Sequence, residues 1–345
     1  MNARVNTHIR AARWFIVLSP EGAARSAGLE TATAFSQLVN SPDVKTFDCK
    51  VYLDAFKNML KSPDETMVVD LLNHALIVQC LEFHATHVLV LALSPVTLFT
   101  LNLLRDQKIT TAHWFYEDFR QAGYWKDVLA GYRYFFAVQK GPIIDECKKC
   151  NVRYVFLPTA ASALPQDKPV AQSEFKKDAA FIGIPSAYRI RVLEFLAVHG
   201  VRLAIAGQGW DRYQGPLAPC IINGGWIDGK QSAAILQSAF TGINLSLNDP
   251  QLDRSNTHIS PRVFDVLMSG GVLITEEVPL VHEVLPDCSY HCFSNEAEAL
   301  SIIQAVCAHP EKEQENIEKN RQAIKAGHLY VNRVRRMVEI TDMPD

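Results

Sequence analysis

Thr257-His258-Ile259-Ser260-Pro261-Arg262-Val263-Phe264-Asp265-Val266-Leu267-Met268-Ser269-Gly270-Gly271-Val272-Leu273-Ile274-Thr275 is the stretch from which the fold can be read. A polar loop runs into a helix opened by Ser-Pro, an N-cap followed by the residue that suits a first helical turn. Arg262 and Asp265 sit three positions apart, on one face near the helix start. Gly270-Gly271 stops the helix, and Val272–Thr275 reads as a buried strand. Loop, charged helix start, glycine turn and apolar strand describe the edge of a parallel sheet, where helix N-termini and strand ends form a ligand crevice.

Outward from that stretch, apolar runs alternate with helical patterns. Trp14–Leu18, Lys45–Tyr52, His87–Leu93, Lys108–Phe115, Tyr134–Val138 and Arg153–Leu157 read as strands of a first half. The helices between them are predicted to run to about Leu38, over Asp64–His84, from Ser94-Pro95, and to Cys150. Thr159–Lys177 loses apolar periodicity and is the linker candidate. A second series follows: strands at Ala179–Ile182, Arg202–Ala206 and Thr241–Leu247, helices at Tyr188–His199 and Lys230–Ser238, then the opening stretch. Glu296–His309 and Pro310–Ala326 are helical in pattern. This alternation predicts an α/β protein of two Rossmann-like, doubly wound parallel-sheet domains facing a central cleft. The expected division is 1–165, 166–327, and a C-terminal helix over 328–345 that crosses back to the first domain.

Composition sets limits. The 345 residues suit two domains, and 48% hydrophobic against 21% charged residues is a globular balance. A net charge of -3 gives no basic field for bulk nucleic-acid binding. No run is long enough for a membrane span, and Trp14–Leu18 is too short for a signal core, so a cytoplasmic protein is expected. The eight cysteines are scattered and read as reduced thiols. Cys147-Lys148-Lys149-Cys150 lacks a second ligand pair, and no metal site is predicted.

Several residues are chemically suggestive. Phe181-Ile182-Gly183-Ile184-Pro185-Ser186-Ala187-Tyr188-Arg189 is a strand, a glycine turn and a helix start bearing a cation. With Arg262 at another helix start, two such groups in one crevice suit a diphosphate. Asp265 either pairs with Arg262 or accepts the hydroxyls of a ribose or sugar. Gly270 and Gly271 either end the helix or let backbone approach a ligand. His113, Glu117 and Asp118 close a strand beside Trp114 and Tyr116; a carboxylate there can take a proton from an acceptor hydroxyl, and the aromatic faces suit sugar C–H surfaces. The alternative is a solvated strand end over core aromatics. His258 and His282 are either donor contacts or structural.

Beyond these readings, the second half resembles the CgeB/YkvP-like group of GT-B glycosyltransferases, related to a retaining family with an E-x7-E signature. The matching pieces are Phe181-Ile182-Gly183 with Arg189, Gly225-Trp226-Ile227, Ile243–Leu247, Ser260–Gly271, and Ala326–Tyr330 with Arg333. The resemblance covers most of Ala179–Val338 and is looser over Trp114, Glu117 and Asp118. It implies metal-independent transfer from a nucleoside-diphosphate sugar, bound as donor substrate rather than cofactor, to an unknown acceptor (glycan, protein or small molecule). Gly183, Arg189, Trp226, Arg262, Asp265, Gly270 and Gly271 would form the nucleotide side, and Glu117, Asp118 and His258 the catalytic side. Asp265 stands where the family's second glutamate holds the ribose, one methylene shorter. Thr257 stands at the first acidic position, which leaves the donor-sugar contact and stereochemistry open. A sugar-nucleotide epimerase or hydrolase, or a non-catalytic binding or coat protein, are the competing expectations.

Overall fold

The computed structural model describes residues 12–39, 43–61, 64–162, 176–250 and 258–342. Most of the linker candidate, and Thr257 with it, lies outside these residues. The chain divides into two compact units: Met1–Ala137 with Gly141–Leu157 and Val334–Asp345, and Val138–Lys140 with Pro158–Arg333.

In the first unit β1 (Trp14–Leu18), α1 (Gly22–Leu38), β2 (Val44–Asp48), α2 (Cys49–Met59), α3 (Glu65–Glu82), β3 (His87–Leu91), α4 (Leu98–Asp106), β4 (Thr110–Phe115), α5 (Trp125–Val128), β5 (Tyr134–Ala137), α6 (Ile143–Lys149) and β6 (Arg153–Phe156) follow in turn. The strands form one parallel sheet in the order β2-β1-β3-β4-β5-β6. All five residues of β1 are buried, as a strand covered by helices on both faces requires.

Two local expectations are corrected here. The strand expected over Lys45–Tyr52 ends at Asp48, whose side chain accepts from Lys50 N at 3.0 Å and caps α2. The helix expected from Ser94-Pro95 begins instead at Leu98, capped by Thr97. Asn73 of α3 decides this: its Nδ2 donates to Pro95 O (2.9 Å), and its Oδ1 accepts from Thr97 N (3.0 Å) and Thr100 Oγ1 (2.7 Å). A buried amide thus keeps residues 95–97 out of the helix.

The second unit runs β7 (Lys177–Ile182), α7 (Ala187–Val198), β8 (Leu203–Ala206), β9 (Ile221–Asn223), α8 (Gly229–Gln237), β10 (Ala239–Asn244), α9 (Pro261–Ser269), β11 (Val272–Glu276), α10 (Pro279–Val284), β12 (His291–Phe293), α11 (Glu296–Ala308) and α12 (Gln314–Gly327). Its parallel sheet has the order β12-β11-β10-β7-β8-β9. The chain therefore moves outward from β7 through β8 and β9, then returns to the other side of β7 at β10. Strand order reverses between β7 and β10, and ligands of such sheets bind at the carboxyl ends of the strands flanking that reversal. The last helix, α13 (Tyr330–Thr341), has residues up to Arg333 in the second unit and the remainder in the first.

Candidate functional site

The reversal point is built by the loops that leave β7 and β10. Where these strands part, their last carbonyls lose sheet partners and need donors. Two guanidinium groups supply them. Arg262, in the first turn of α9, donates through Nε to Ile182 O at the end of β7 and through Nη1 to Asn244 Oδ1 at the end of β10 (2.7 Å). Arg189, in the first turn of α7, donates through Nε to Ser246 O (3.0 Å), Nη1 to Ile184 O (2.8 Å) and Nη2 to Leu245 O (2.9 Å). Both lie by the ring of Phe181, with guanidinium carbons 4.8 Å (Arg262) and 5.4 Å (Arg189) from its centroid.

The helix bearing Arg262 reaches this position because of a glycine. A Cβ on Gly242 of β10 would fall 2.3 Å from Val266 Cγ2, so its absence is what lets α9 lie directly on the strand. Gly183 has a similar role nearer the site. A Cβ there would come within 2.7 Å of Arg262 Nη2 and 3.3 Å of Arg189 Nη1. Gly183 therefore leaves the room in which the two cations sit.

Burial, and then the neighbouring Arg189, push Arg262 down to about 9; burial pushes Arg189 down to about 10. Both remain charged at neutral pH. Two carboxylates, Glu276 and Asp265, favour the charged form of Arg262. Glu276 is the last residue of β11, with 1% of its surface exposed. Its Oε2 accepts from Ser246 N at 2.8 Å, and the Tyr188 hydroxyl also faces this carboxylate. Burial raises the pKa of this carboxyl. The two guanidinium groups at the helix starts of α7 and α9 make a site that suits an anion.

Asp265, one turn along α9, points to a different place. It lines a small recess with Gly229, Ser232 and Ala233 of the first turns of α8, and Met268. Trp226 stands 48% exposed in the segment just before α8, whose start is fixed by a capping box between Asp228 and Gln231.

The remaining expected residues fall as follows. Arg189 is 7% exposed, and each of its nitrogens donates to a backbone carbonyl. It holds the strand ends and adds charge from behind. Gly270 and Gly271 are not near the strand ends. They close α9 at the opposite edge of the sheet, where Gly270 adopts φ 86° and faces Arg321 and Ile317 of α12. At Gly270 the glycine answers the left-handed helix stop. His258 forms an isolated antiparallel bridge with Gln139.

In the first unit, Glu117 and Asp118 follow β4. Asp118 accepts from Arg120 through both oxygens, with contacts of 2.6 to 3.2 Å. Glu117 is half-buried, and burial together with Asp118 raises its pKa. The aromatic faces expected beside them belong to the core. His113 is fully buried with Nδ1 2.8 Å from Val90 O, and burial lowers it to about 3. Trp114 Nε1 donates to Leu157 O (3.2 Å), and Tyr116 Oη to Ala24 O (2.8 Å).

Asn244, Ser246 and Glu276 were missed by sequence reasoning. An acid at the end of an apolar strand, as in Val272–Glu276, was the available signal, since such a position faces the carboxyl edge of the sheet.

Comparison with known proteins adds the following. Residues 189–339 match a family model described as glycosyl transferase-like. No curated protein matches the sequence at a significant level. Among solved structures, a sucrose-phosphate synthase from Thermosynechococcus elongatus is 10% identical and covers 95% of this chain and 98% of its own, with a TM-score of 0.62. An E. coli trehalose-6-phosphate protein bound with UDP-2-fluoro glucose is 10% identical, covering 96% and 100%, with a TM-score of 0.58. A putative UDP-N-acetylglucosamine 2-epimerase from Listeria monocytogenes is 8% identical, covering 97% and 98%, with a TM-score of 0.56. At these identities the likeness is one of fold. The chain therefore has the GT-B fold, α/β with two Rossmann-like units, and its segment 189–339 is glycosyl transferase-like in sequence.

Proposed function

We propose that this protein is a glycosyltransferase of the CgeB-like kind, moving a sugar from a nucleoside-diphosphate donor to an acceptor that is a glycan, a protein or a small molecule. The observation that carries the reading is the placement of Arg262 and Arg189 at the strand reversal between β7 and β10, with Nη2 of Arg262 over Gly183. The diphosphate lies against Arg262 and the starts of α7 and α9. Asp265 accepts the ribose hydroxyls beside α8, and Trp226 offers a face to the base.

Cleavage of the sugar–phosphate bond leaves growing negative charge on the diphosphate. Fixed guanidinium and helix-start donors stabilise that charge without reorganising, so no metal is required for the leaving group. Glu117 takes the proton of the acceptor hydroxyl. Its raised pKa brings it closer to working pH, where a general base is most effective. Asp118, held by Arg120, positions the turn that carries it.

The reading is tested by thermal melting of the full chain with a panel of nucleoside diphosphates and their sugar conjugates. A ligand bound only by the folded state raises the melting temperature. We expect one base to stabilise, with its diphosphate more effective than the bare nucleoside. A flat response across the panel would sink the proposal. Release of a free sugar or an epimer with no acceptor added would replace transfer by hydrolysis or epimerisation at the same site.

A further inference from the structure

The outer edge of the second sheet carries a cluster that the transfer reaction does not use. Glu277 directly follows β11, His282 lies on α10, and Cys292 is the middle residue of β12. Parallel pairing sets Cys292 opposite Thr275, two residues before Glu277, so the short α10 folds back over the ends of two neighbouring strands. His282 Nε2 is 2.8 Å from Glu277 Oε1 and 4.0 Å from Cys292 Sγ. One ligand atom from each of the three residues lies within 4.8 Å of the others. The opposite ring nitrogen, Nδ1, is 2.7 Å from Tyr290 Oη.

We infer that Glu277, His282 and Cys292 form a binding site for a borderline-soft divalent cation of the zinc type. The imidazole is the shared vertex, since one nitrogen faces both other ligands. With Nδ1–H donated to Tyr290, the lone pair of Nε2 is free to coordinate, which is how an outer hydrogen bond fixes the tautomer of a metal-binding histidine. Tetrahedral zinc with bonds of about 2.0–2.1 Å to nitrogen and 2.3 Å to sulfur would set N and S about 3.6 Å apart. The present separation therefore needs to close by a few tenths of an ångström, and the N–O contact needs to open by a similar amount. Imidazole, thiolate and carboxylate together favour zinc over magnesium or calcium, which take oxygen ligands. Glu277 and His282 are exposed, so an ion has a path in and a fourth position remains for water.

Two other uses of these groups fit less well. A thiol–imidazole–carboxylate relay needs the acid and the thiol on opposite ring nitrogens; here both meet Nε2. A reactive free thiol needs a lowered pKa, whereas burial, followed by Glu277, pushes Cys292 up to about 12. A metal ion supplies the missing drive to deprotonate it.

Cobalt(II) titrated into the full chain is the test. A saturable thiolate-to-cobalt charge-transfer band at one equivalent, bleached by added zinc, is expected. Cys292→Ser should abolish the band, and Cys150→Ser, at the exposed cysteine of the first unit, should leave it intact. Tyr290→Phe should weaken binding about 10–100-fold. Absence of the band, or its persistence in Cys292→Ser, would overturn the inference. Should Cys292→Ser not fold, His282→Gln at an exposed position carries the same test. The readout involves no nucleotide, so its outcome is separate from that of the transfer reading.

Discussion

At the residue scale, Arg262 and Arg189 illustrate how two arginines with the same local signature can differ in role. Each stands in the first turn of a helix after a strand and a glycine-containing or polar loop, and the sequence offers no distinction between them. Their nitrogens meet different groups: three backbone carbonyls for Arg189, and the carbonyls of Ile182 and Leu245, the Asn244 amide oxygen and the space over Gly183 for Arg262. A charge-assisted hydrogen bond contributes about 1.5–3 kcal/mol, so Arg262→Ala should weaken nucleotide diphosphate binding roughly 10- to 150-fold. Arg189→Ala is expected to lower the melting temperature as well, because it removes a donor from each of the carbonyls of Ile184, Leu245 and Ser246. The two carboxyls of the first unit divide in the same way, since Arg120 occupies Asp118 and leaves Glu117 with the raised pKa. As a base, Glu117 works only when deprotonated. The acid limb of the kcat profile should therefore lie above the ordinary glutamate range, and Glu117→Gln should remove that limb and most of kcat while sparing donor affinity. An acid limb at the same pH in Glu117→Gln would assign the titration elsewhere.

At the element scale, α9 was legible almost residue by residue. Ser260 caps it, Pro261 opens it and Gly270 ends it with φ 86°. What periodicity could not show was which end of the helix lies at the carboxyl edge of the sheet. In a strand–helix–strand unit the helix start lies at the carboxyl edge of the sheet and its end at the other edge, so Arg262 and Gly270 are assigned to opposite sides of the molecule's second layer. Two glycine substitutions separate these roles. Gly270→Ala forces a left-handed residue to carry a Cβ at a cost of roughly 1–2 kcal/mol, and should lower stability with nucleotide affinity unchanged. Gly242→Ala drives a methyl into Val266 and displaces α9 from β10, so it should lower both stability and nucleotide affinity. Equal affinity losses in both variants would show that the glycine turn does touch the ligand. Short elements escaped the sequence for a related reason. The three-residue strands β9 and β12 and the six-residue α10 hold too few residues for a period to register. α2 was hidden because Cys49–Met59 follows β2 without an intervening turn, Asp48 being both strand end and cap.

At the scale of the whole molecule, the six strands of the first sheet and four of the six in the second were readable because buried strands with helices on both faces are near-continuous apolar runs. The site was readable only in part. Its cations sit in helix starts, where pattern and cap residues mark them. Its acid, Glu276, and the acceptors Asn244 and Ser246 are defined by strand order, which depends on contacts far apart in sequence. The reversal between β7 and β10 brings residues 182, 244–246, 262 and 276 to one place, and no local window contains that fact. Arg333 shows the same long-range logic. It is buried, and its guanidinium donates to Pro158 O, Thr159 O and Gly327 O, tying the entry of the second unit to the residues before α13. Leaving a buried acceptor unpaired costs about 1–3 kcal/mol, so Arg333→Ala should be among the more destabilising single changes by thermal or denaturant melting. The second unit is proposed to bind a nucleoside diphosphate through Arg262 at the strand reversal. Calorimetric titration of the wild-type chain and of folded Arg262→Ala, each with the diphosphate that stabilises the wild type most, tests it directly. A weakening of roughly 10- to 150-fold with the fold intact is expected. Unchanged affinity in a folded Arg262→Ala protein would contradict it.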